Sequence, residues 1–305
     1  MIFPQALYFS YSPGTLLRVT GDDAFNFLQG QFTNELRQPP GSATYGLWLN
    51  QKGKVLADSQ VLRTAEREFL IASEVSSVAV IRSRLEQYII ADDVALADET
   101  AATQALLLGG TQARTIVQEL LGAAPARGRF LIKNEILVYG GRRLPGESYE
   151  LLGPGQSVAE IRRQSMARGA IEASAAEVDF VRISAGIPSV PADLGPGDLP
   201  NEGGLEDSAL SYTKGCYLGQ EVMARLKNLG QVRRRLHVVR GRGTRPVPSA
   251  ALFQGGKKVG ELRSVAGRDG EFVAWAMLSL VNLDATRGVS LEPAGPADIT
   301  VDRHG

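Results

Sequence analysis

Lys214-Gly215-Cys216-Tyr217-Leu218-Gly219-Gln220-Glu221, followed by Val222-Met223-Ala224-Arg225, is the most informative stretch of the chain. It holds the only cysteine among 305 residues, set between two glycines that let the backbone turn tightly. Lys214 lies two positions before the cysteine and Arg225 nine after it, and Gln220 to Leu226 can open a helix. Cations and a helix N-terminus both favour thiolate over thiol, which is the setting of a reactive cysteine. The competing reading is a buried, inert side chain, because free cysteines commonly pack as small apolar groups.

Downstream, the chain reads as short strands between Gly and Pro turns, at 235–239, 251–253, 258–262 and 272–278. That pattern predicts a small C-terminal β-barrel. Upstream, Ile187 to Gly204 holds Pro188, Pro191, Pro196 and Pro200 with Gly195, Gly197, Gly203 and Gly204. Such a segment predicts irregular structure, and long irregular loops are usually functional or disordered. The first hundred residues read as strand, helix, three strands, helix, strand. Asp22 is the expected cap of the first helix and Ser73 of the second, and Asn50-Gln51-Lys52-Gly53 marks a hairpin. The next block repeats that order weakly and is expected to close with a strand over Val178 to Ile183. The duplication predicts two related α+β lobes.

Composition bounds the function. At about 150 residues per domain, the length suggests two domains. Hydrophobic residues make up 44% and charged residues 22%, and 33 Lys plus Arg balance 33 Asp plus Glu. This is the composition of a well-cored globular chain and excludes a basic coat for nucleic acid. One cysteine excludes an intrachain disulfide, and two histidines argue against a metal site. The N-terminal stretch lacks a signal-peptide pattern, and no apolar run of about 18 residues is present, so a cytoplasmic, reducing setting is expected. Nucleotide-binding glycine loops and a serine nucleophile elbow are absent. His237 and His304 have no evident relay partner.

The Lys214–Glu221 stretch matches the K-G-C-Y-x-G-Q-E signature at every defined position. It resembles that of the YgfZ group of folate-binding proteins, relatives of the glycine-cleavage T-protein, an aminomethyltransferase. Thr20 to Asn34, the Asn50–Asp58 hairpin, Arg182 to Pro188 and Leu199 to Glu202 resemble further family segments. The resemblance implies an α+β, T-protein-like fold: two lobes, roughly 1–100 and 101–228, and a barrel at 229–305, around a central cavity. It implies tetrahydrofolate or another reduced folate as ligand. It also implies an accessory role in assembling, repairing or maintaining iron–sulfur proteins, tRNA-modifying ones included, as clients.

Site residues follow from the same resemblance. Cys216 is the functional thiol, supported by Lys214. Glu147, in Leu144-Pro145-Gly146-Glu147, matches the segment whose glutamate meets the pterin, against the plainer reading of a solvated turn residue. Arg182, in an apolar strand pattern, is expected to meet the ligand or an internal carboxylate, since a buried arginine needs a partner. Tyr217, Gln220 and Arg225 complete the expected folate contacts.

The T-protein's acidic hairpin is represented by Gly53-Lys54-Val55-Leu56-Ala57-Asp58, which keeps one carboxylate, Asp58, as a weak catalytic candidate. That loss and the cysteine argue against glycine cleavage. A tetrahydrofolate-dependent aminomethyltransferase and a non-catalytic scaffold stay as alternatives. Between Val222 and Arg245 lie eight cations and no acid. They read as a solvated face, a site for the glutamate tail of folate, or a docking patch for RNA or protein. No stacking aromatics accompany them, so direct nucleic-acid binding is not expected.

Overall fold

The computed structural model describes residues 5–230, 232–284 and 286–302, without the side chains of residues 228 and 229. His304 lies outside the described residues. The elements of the first half are β1 (Leu7–Tyr11), β2 (Thr15–Thr20), α1 (Ala24–Gln31), β3 (Ser42–Leu49), β4 (Val55–Ala65), β5 (Glu68–Ser73), α2 (Val78–Glu86), β6 (Ala95–Asp98), β7 (Gln104–Gly109), α3 (Ala113–Leu121), β8 (Phe130–Lys133), β9 (Ile136–Gly140) and β10 (Ser148–Gly153). They are followed by α4 (Gly155–Ala167), β11 (Ile171–Glu172), α5 (Ala175–Ser184), α6 (Glu206–Ala209), α7 (Gln220–Leu229), β12 (Arg234–Arg242), β13 (Ala251–Gln254), β14 (Lys257–Arg268), β15 (Glu271–Ser279) and β16 (Thr300–Val301).

Two sheets carry the duplication. The first runs β3-β4-β5-β2-β6 and the second β8-β9-β10-β7-β1-β11. The place that β6 takes beside β2 is taken in the second sheet by β1 beside β7, both antiparallel. The second unit is therefore closed by the N-terminal strand. The expected strand over Val178 to Ile183 is instead helix α5. Ser174 and Glu177 form a capping box that starts a helix, and the strand position is already filled by β1. Two caps also differ. Asp23 rather than Asp22 precedes α1, and Ser77 rather than Ser73 caps α2, because Ser73 still belongs to β5.

Side-chain alternation decides the layering. On β4, Ala57 and Val61 face α1 and α2 and pack with Leu28, Ile81 and Leu85. Leu62 points the other way and packs with Leu16 and Leu70 against Leu137, Tyr139 and Leu152 of the second sheet. The outer face of the second sheet buries Leu106, Val138 and Leu151 under Ile116, Val117, Val158 and Ile161 of α3 and α4. Two sheets thus lie face to face with helices outside, an α+β arrangement.

The C-terminal sheet runs β13-β14-β15-β12-β16. Bridges from Phe253 to Ser290 and from Val289 to Ile299 join its two edges, so it closes into a barrel. On β15, Phe272, Ala274, Ala276 and Leu278 fill the barrel. Val273, Trp275 and Met277 face outward into a shared core with Phe180, Val190, Leu194, Tyr217 and Met223.

The Pro/Gly-rich segment carries only a short 3-10 turn at Pro200–Gly203 and is otherwise irregular. Charged groups hold it. Asp193, fully buried, accepts hydrogen bonds from Arg182 Nη1 (2.5 Å), Ser189 N (2.8 Å) and Ser264 N (3.0 Å). Asp198 accepts from Gly195 N (2.9 Å) and Arg234 Nη2 (2.8 Å), while its carbonyl accepts from Val55 N (3.0 Å). The segment is thereby tied to α5, the barrel and the first sheet together. Removing one member of a buried pair leaves the other charge uncompensated, at about 3–5 kcal/mol. Asp193→Ala is expected to lower unfolding free energy by roughly that amount in urea denaturation, and Glu160→Ala, on the exposed face of α4, by under about 0.5 kcal/mol. Equal effects would show the pair to be dispensable.

Candidate functional site: an exposed thiol and an interlobe cleft

The cysteine motif is a turn clamped by its own flanking residues. Gly219 has φ +85°, and a Cβ there would lie 2.9 Å from the Asn50 carbonyl oxygen. Gly53, in the facing hairpin, has φ +69° and packs against Val222 and Met223. Only glycine fits either position. Lys214 is 6% exposed and donates from Nζ to the carbonyls of Phe32 (2.8 Å) and Asn34 (2.7 Å). Burial pulls its pKa down to about 8. Gln220 folds back on the turn: its Oε1 accepts from Tyr217 N (3.3 Å) and its Nε2 donates to the Lys214 carbonyl (3.4 Å). Tyr217 is buried in the shared core, with its hydroxyl pushed up to about 12 by burial. Arg225 is exposed and pairs with Glu221 one turn away.

Cys216 is exposed at the crest of this turn. The expected contact between Lys214 and a Cys216 thiolate is corrected: the ammonium turns inward to two carbonyls. Tyr217, Gln220 and Arg225 build or decorate the turn, and none of them lines the cleft between the lobes.

That cleft has a volume of about 750 Å³. Tyr45 and Gln60 line it from the first sheet, Arg142 and Ser148 from the second, and Ile187 and Pro188 from the irregular segment. A narrow inner extension reaches Asp58, Glu74, Arg143 and Arg182. Alternation decides which hairpin position faces the cleft. Ala57 lies in the core beneath α1 and α2, so the carboxylate that reaches the cleft side is Asp58. Its carboxylate accepts from Tyr45 OH (3.0 Å) and Ser76 Oγ (2.7 Å). Burial, reinforced by Glu74, raises its pKa to about 6. Arg142 stacks over the Tyr45 ring at 3.5 Å and makes no hydrogen bond to the protein among the described residues.

Glu150, fully buried behind the cleft, accepts from Tyr11 OH (2.7 Å) and from Arg143 Nε (3.2 Å) and Nη2 (3.0 Å). Burial outweighs Arg143 and pushes its carboxyl up to about 7. Glu147 stands on the cleft rim, exposed, paired with Arg114 at 2.8 Å. Arg182 is 4% exposed, lies in helix α5 rather than in a strand, and is committed to Asp193 and Asp179. The structure therefore groups Asp58 and Arg182 around the inner extension, places Glu147 on the outer rim, and leaves Cys216 off both.

The basic run between Val222 and Arg245 is largely neutralised. Arg234 meets Asp198 and Glu202, Arg235 meets Glu206, Arg240 meets Asp302 and Arg242 meets Glu271. Tyr45, Gln60 and Arg142 went unnoticed in the sequence. The period of two along β4, which puts Asp58 and Gln60 on one face, carried the signal.

A fold of two stacked α+β units and a barrel, with a cleft between them, defines a class. Residues 5–141 match the GCVT N-terminal domain and residues 233–301 the CAF17 C-terminal β-barrel domain. Glycine cleavage system aminomethyltransferase T from Bartonella henselae superposes with TM-score 0.80 at 19% identity, covering 94% of this chain and 81% of that one. The Homo sapiens mitochondrial iron-sulfur cluster assembly factor IBA57 is 30% identical over 288 residues, covering 86% of this chain and 75% of its own length. The tRNA-modifying protein YgfZ of Yersinia enterocolitica is 26% identical over 236 residues, covering 75% and 69%. The chain belongs to the family of IBA57 and YgfZ, built on the GCVT fold. No helix among the described residues is long and apolar enough to cross a membrane.

The Asp58 shift has a signed consequence. The folded state holds the proton more tightly than the unfolded state, whose carboxyl titrates near 3.8. Stability from this group is present at low pH and lost as pH rises from about 4 to about 6. Relative to Asp58→Asn, the wild type should lose on the order of 3 kcal/mol across that window, at about 1.4 kcal/mol per pKa unit. Parallel stability–pH curves from chemical denaturation would contradict the shift.

Proposed function

We propose that the chain is a folate-binding accessory factor for the assembly, repair or maintenance of iron–sulfur proteins, with Cys216 as its working thiol. The observation that carries the reading is the construction of the cysteine turn. Lys214, Gly219 and Gln220 are all spent on holding a turn that leaves Cys216 exposed. A buried structural cysteine would need no such mounting. The relatives' names, one an iron–sulfur assembly factor and one a tRNA-modifying protein, support the client class. A cytoplasmic location belongs to the same proposal.

A reduced folate fits the cleft in size, since pockets of about 300–1,000 Å³ take ligands of that class. It also fits in chemistry. Arg142 offers an unpaired guanidinium for a carboxylate, and the Tyr45 ring under it offers a flat apolar wall. Folate would supply a one-carbon carrier there. The chain's own residues bind and orient it, and Asp58 gains and loses a proton at its carboxyl oxygen around pH 6.

Cys216→Ser should change unfolding free energy by less than about 1 kcal/mol, because an exposed sulfur leaves no cavity. In cells depending on this chain, the same substitution should abolish its support of an iron–sulfur enzyme, read as that enzyme's activity. Full support by the serine variant would end the thiol reading. Asp58 favours a second reading, aminomethyl transfer to tetrahydrofolate, since a carboxyl that titrates near 6 suits proton transfer. Tetrahydrofolate-dependent ammonia release from an aminomethylated carrier protein, lost in Asp58→Asn, would establish it.

A further inference from the structure

The cleft and its inner extension share four wall residues, Tyr45, Arg142, Ile187 and Pro188, which form the partition between the two spaces. The extension holds about 30 Å³, room for little more than water, and Asp58 and Glu74 stand in it behind the partition. Three members of the partition are fixed. Tyr45 belongs to β3, and its hydroxyl is bonded to Asp58 (3.0 Å). Ile187 and Pro188 stand beside the Asp193–Arg182 pair, and the Ile187 carbonyl accepts from Arg182 Nη1 (3.3 Å) and Trp275 Nε1 (3.3 Å). Arg142 differs. It lies half-buried in the 141–147 connection between β9 and β10. Its guanidinium carbon is 3.5 Å from the centre of the Tyr45 ring, and it has no hydrogen bond or ion pair among the described residues. The next residue, Arg143, is anchored on the buried Glu150 (3.0 Å). The backbone there is tethered, while the Arg142 side chain is held by the ring alone.

We propose that Arg142 is a lid on the Asp58 chamber, shut by stacking on Tyr45 and opened when a carboxylate of the cleft's ligand draws the guanidinium away. The proposal rests on the reading of the cleft as a site for a carboxylate-bearing ligand, and states what that carboxylate does besides adding affinity. An arginine over a ring face is held by electrostatic attraction to the ring, and here its five N–H donors stay unused. A carboxylate takes two of those donors in parallel, and such charge-assisted pairs are the stronger bond. Like charge keeps an anion away from Asp58 and Glu74. It settles instead towards Arg127 and Arg129, which line the outer cleft, and Arg142 reaches it by leaving the ring. The ligand therefore binds the open position of Arg142 better than the shut one, which is what moving an equilibrium requires. A ligand without the carboxylate leaves the lid shut and does not meet Asp58. Access to the chamber is thereby restricted to ligands of one charge.

Two measurements on the full chain test the lid. The first is NMR of arginine-labelled protein at neutral pH, where protons lying over an aromatic face resonate upfield. The Arg142 signals, identified by their loss in Arg142→Ala, should be displaced upfield without ligand. Glutarate (a dicarboxylate alone) and 4-aminobenzoylglutamate (the folate tail) should remove that displacement, and glutaramide, the uncharged isostere, should not. The second is carbodiimide modification followed residue by residue by mass spectrometry, which reads access to Asp58. At about pH 4.5, below its pKa of about 6, Asp58 is protonated in both proteins, so the lost charge of Arg142 does not enter. Asp58 should react at least roughly fivefold faster in Arg142→Ala, because a group reached only through a minor open state reacts in proportion to that state. Glu160, on α4 and paired with Arg163, should react equally in both. Arg142 signals without ring displacement, or ones that no carboxylate moves, overturn the proposal, and so does equal modification of Asp58. Tetrahydrofolate separates the lid from the folate reading. If calorimetry shows it bound while the Arg142 signals stay put, the lid falls and the folate reading stands. If it does not bind while glutarate releases Arg142, the folate reading falls and the lid stands.

Discussion

Asp193 is the point on which three parts of the molecule converge. Its carboxylate is fully buried, and a buried charge is tolerable only when every lone pair is used. Here one oxygen meets Arg182 of α5 and the Ser189 amide, and the other meets the Ser264 amide of the barrel. Arg182 in turn donates to the Ile187 carbonyl (3.3 Å), as does Trp275 Nε1 of β15 (3.3 Å). Ile187 and Pro188 are cleft wall. The pair therefore does more than join helix, loop and barrel. It sets where one wall of the cleft stands, and it does so with groups too buried to be screened by salt.

The inner faces of the two sheets hold opposite demands. Leu16, Leu62, Leu70, Leu137 and Leu152 glue the lobes by apolar burial. A few positions along the same strands, those faces carry Tyr45, Asp58, Gln60, Ser148 and Glu150. Polar groups placed there interrupt the apolar contact, and burial raises the Asp58 and Glu150 carboxyls toward neutrality. Such polar placements are tolerated where a binding site needs them, which is the usual stability–function tension. The Tyr45–Asp58–Ser76 bonds and the Tyr11–Glu150–Arg143 cluster show how the remaining cost is contained by local hydrogen bonding.

The cysteine turn separates the residues that hold it from the one it exposes. Most of its recognisable letters are explained by packing: glycine where the hairpin carbonyl comes close, lysine where two carbonyls need a buried donor, glutamine where the turn closes on itself. Cys216, exposed at the crest, takes no part in holding the turn.

What sequence alone determined was local. Periodicity located most helices and strands, turn residues marked the barrel strands and the hairpin, and the motif around Cys216 placed the chain among its relatives. These signals are short-range, so one chain suffices to read them. Tertiary structure decided what depends on residues far apart. Strand β1 displaced the strand expected at Val178 to Ile183, because the second sheet was completed from the other end of the chain. Lys214 turned from the thiol to the carbonyls of Phe32 and Asn34, some 180 residues away. Arg234, Arg235, Arg240 and Arg242 of the basic run were paired with acids scattered from Asp198 to Asp302. Arg142 and Ser148 joined Tyr45 and Gln60 only when two sheets met face to face. Pairing of buried polar groups is settled by which surfaces meet, and that is a property of the packed chain.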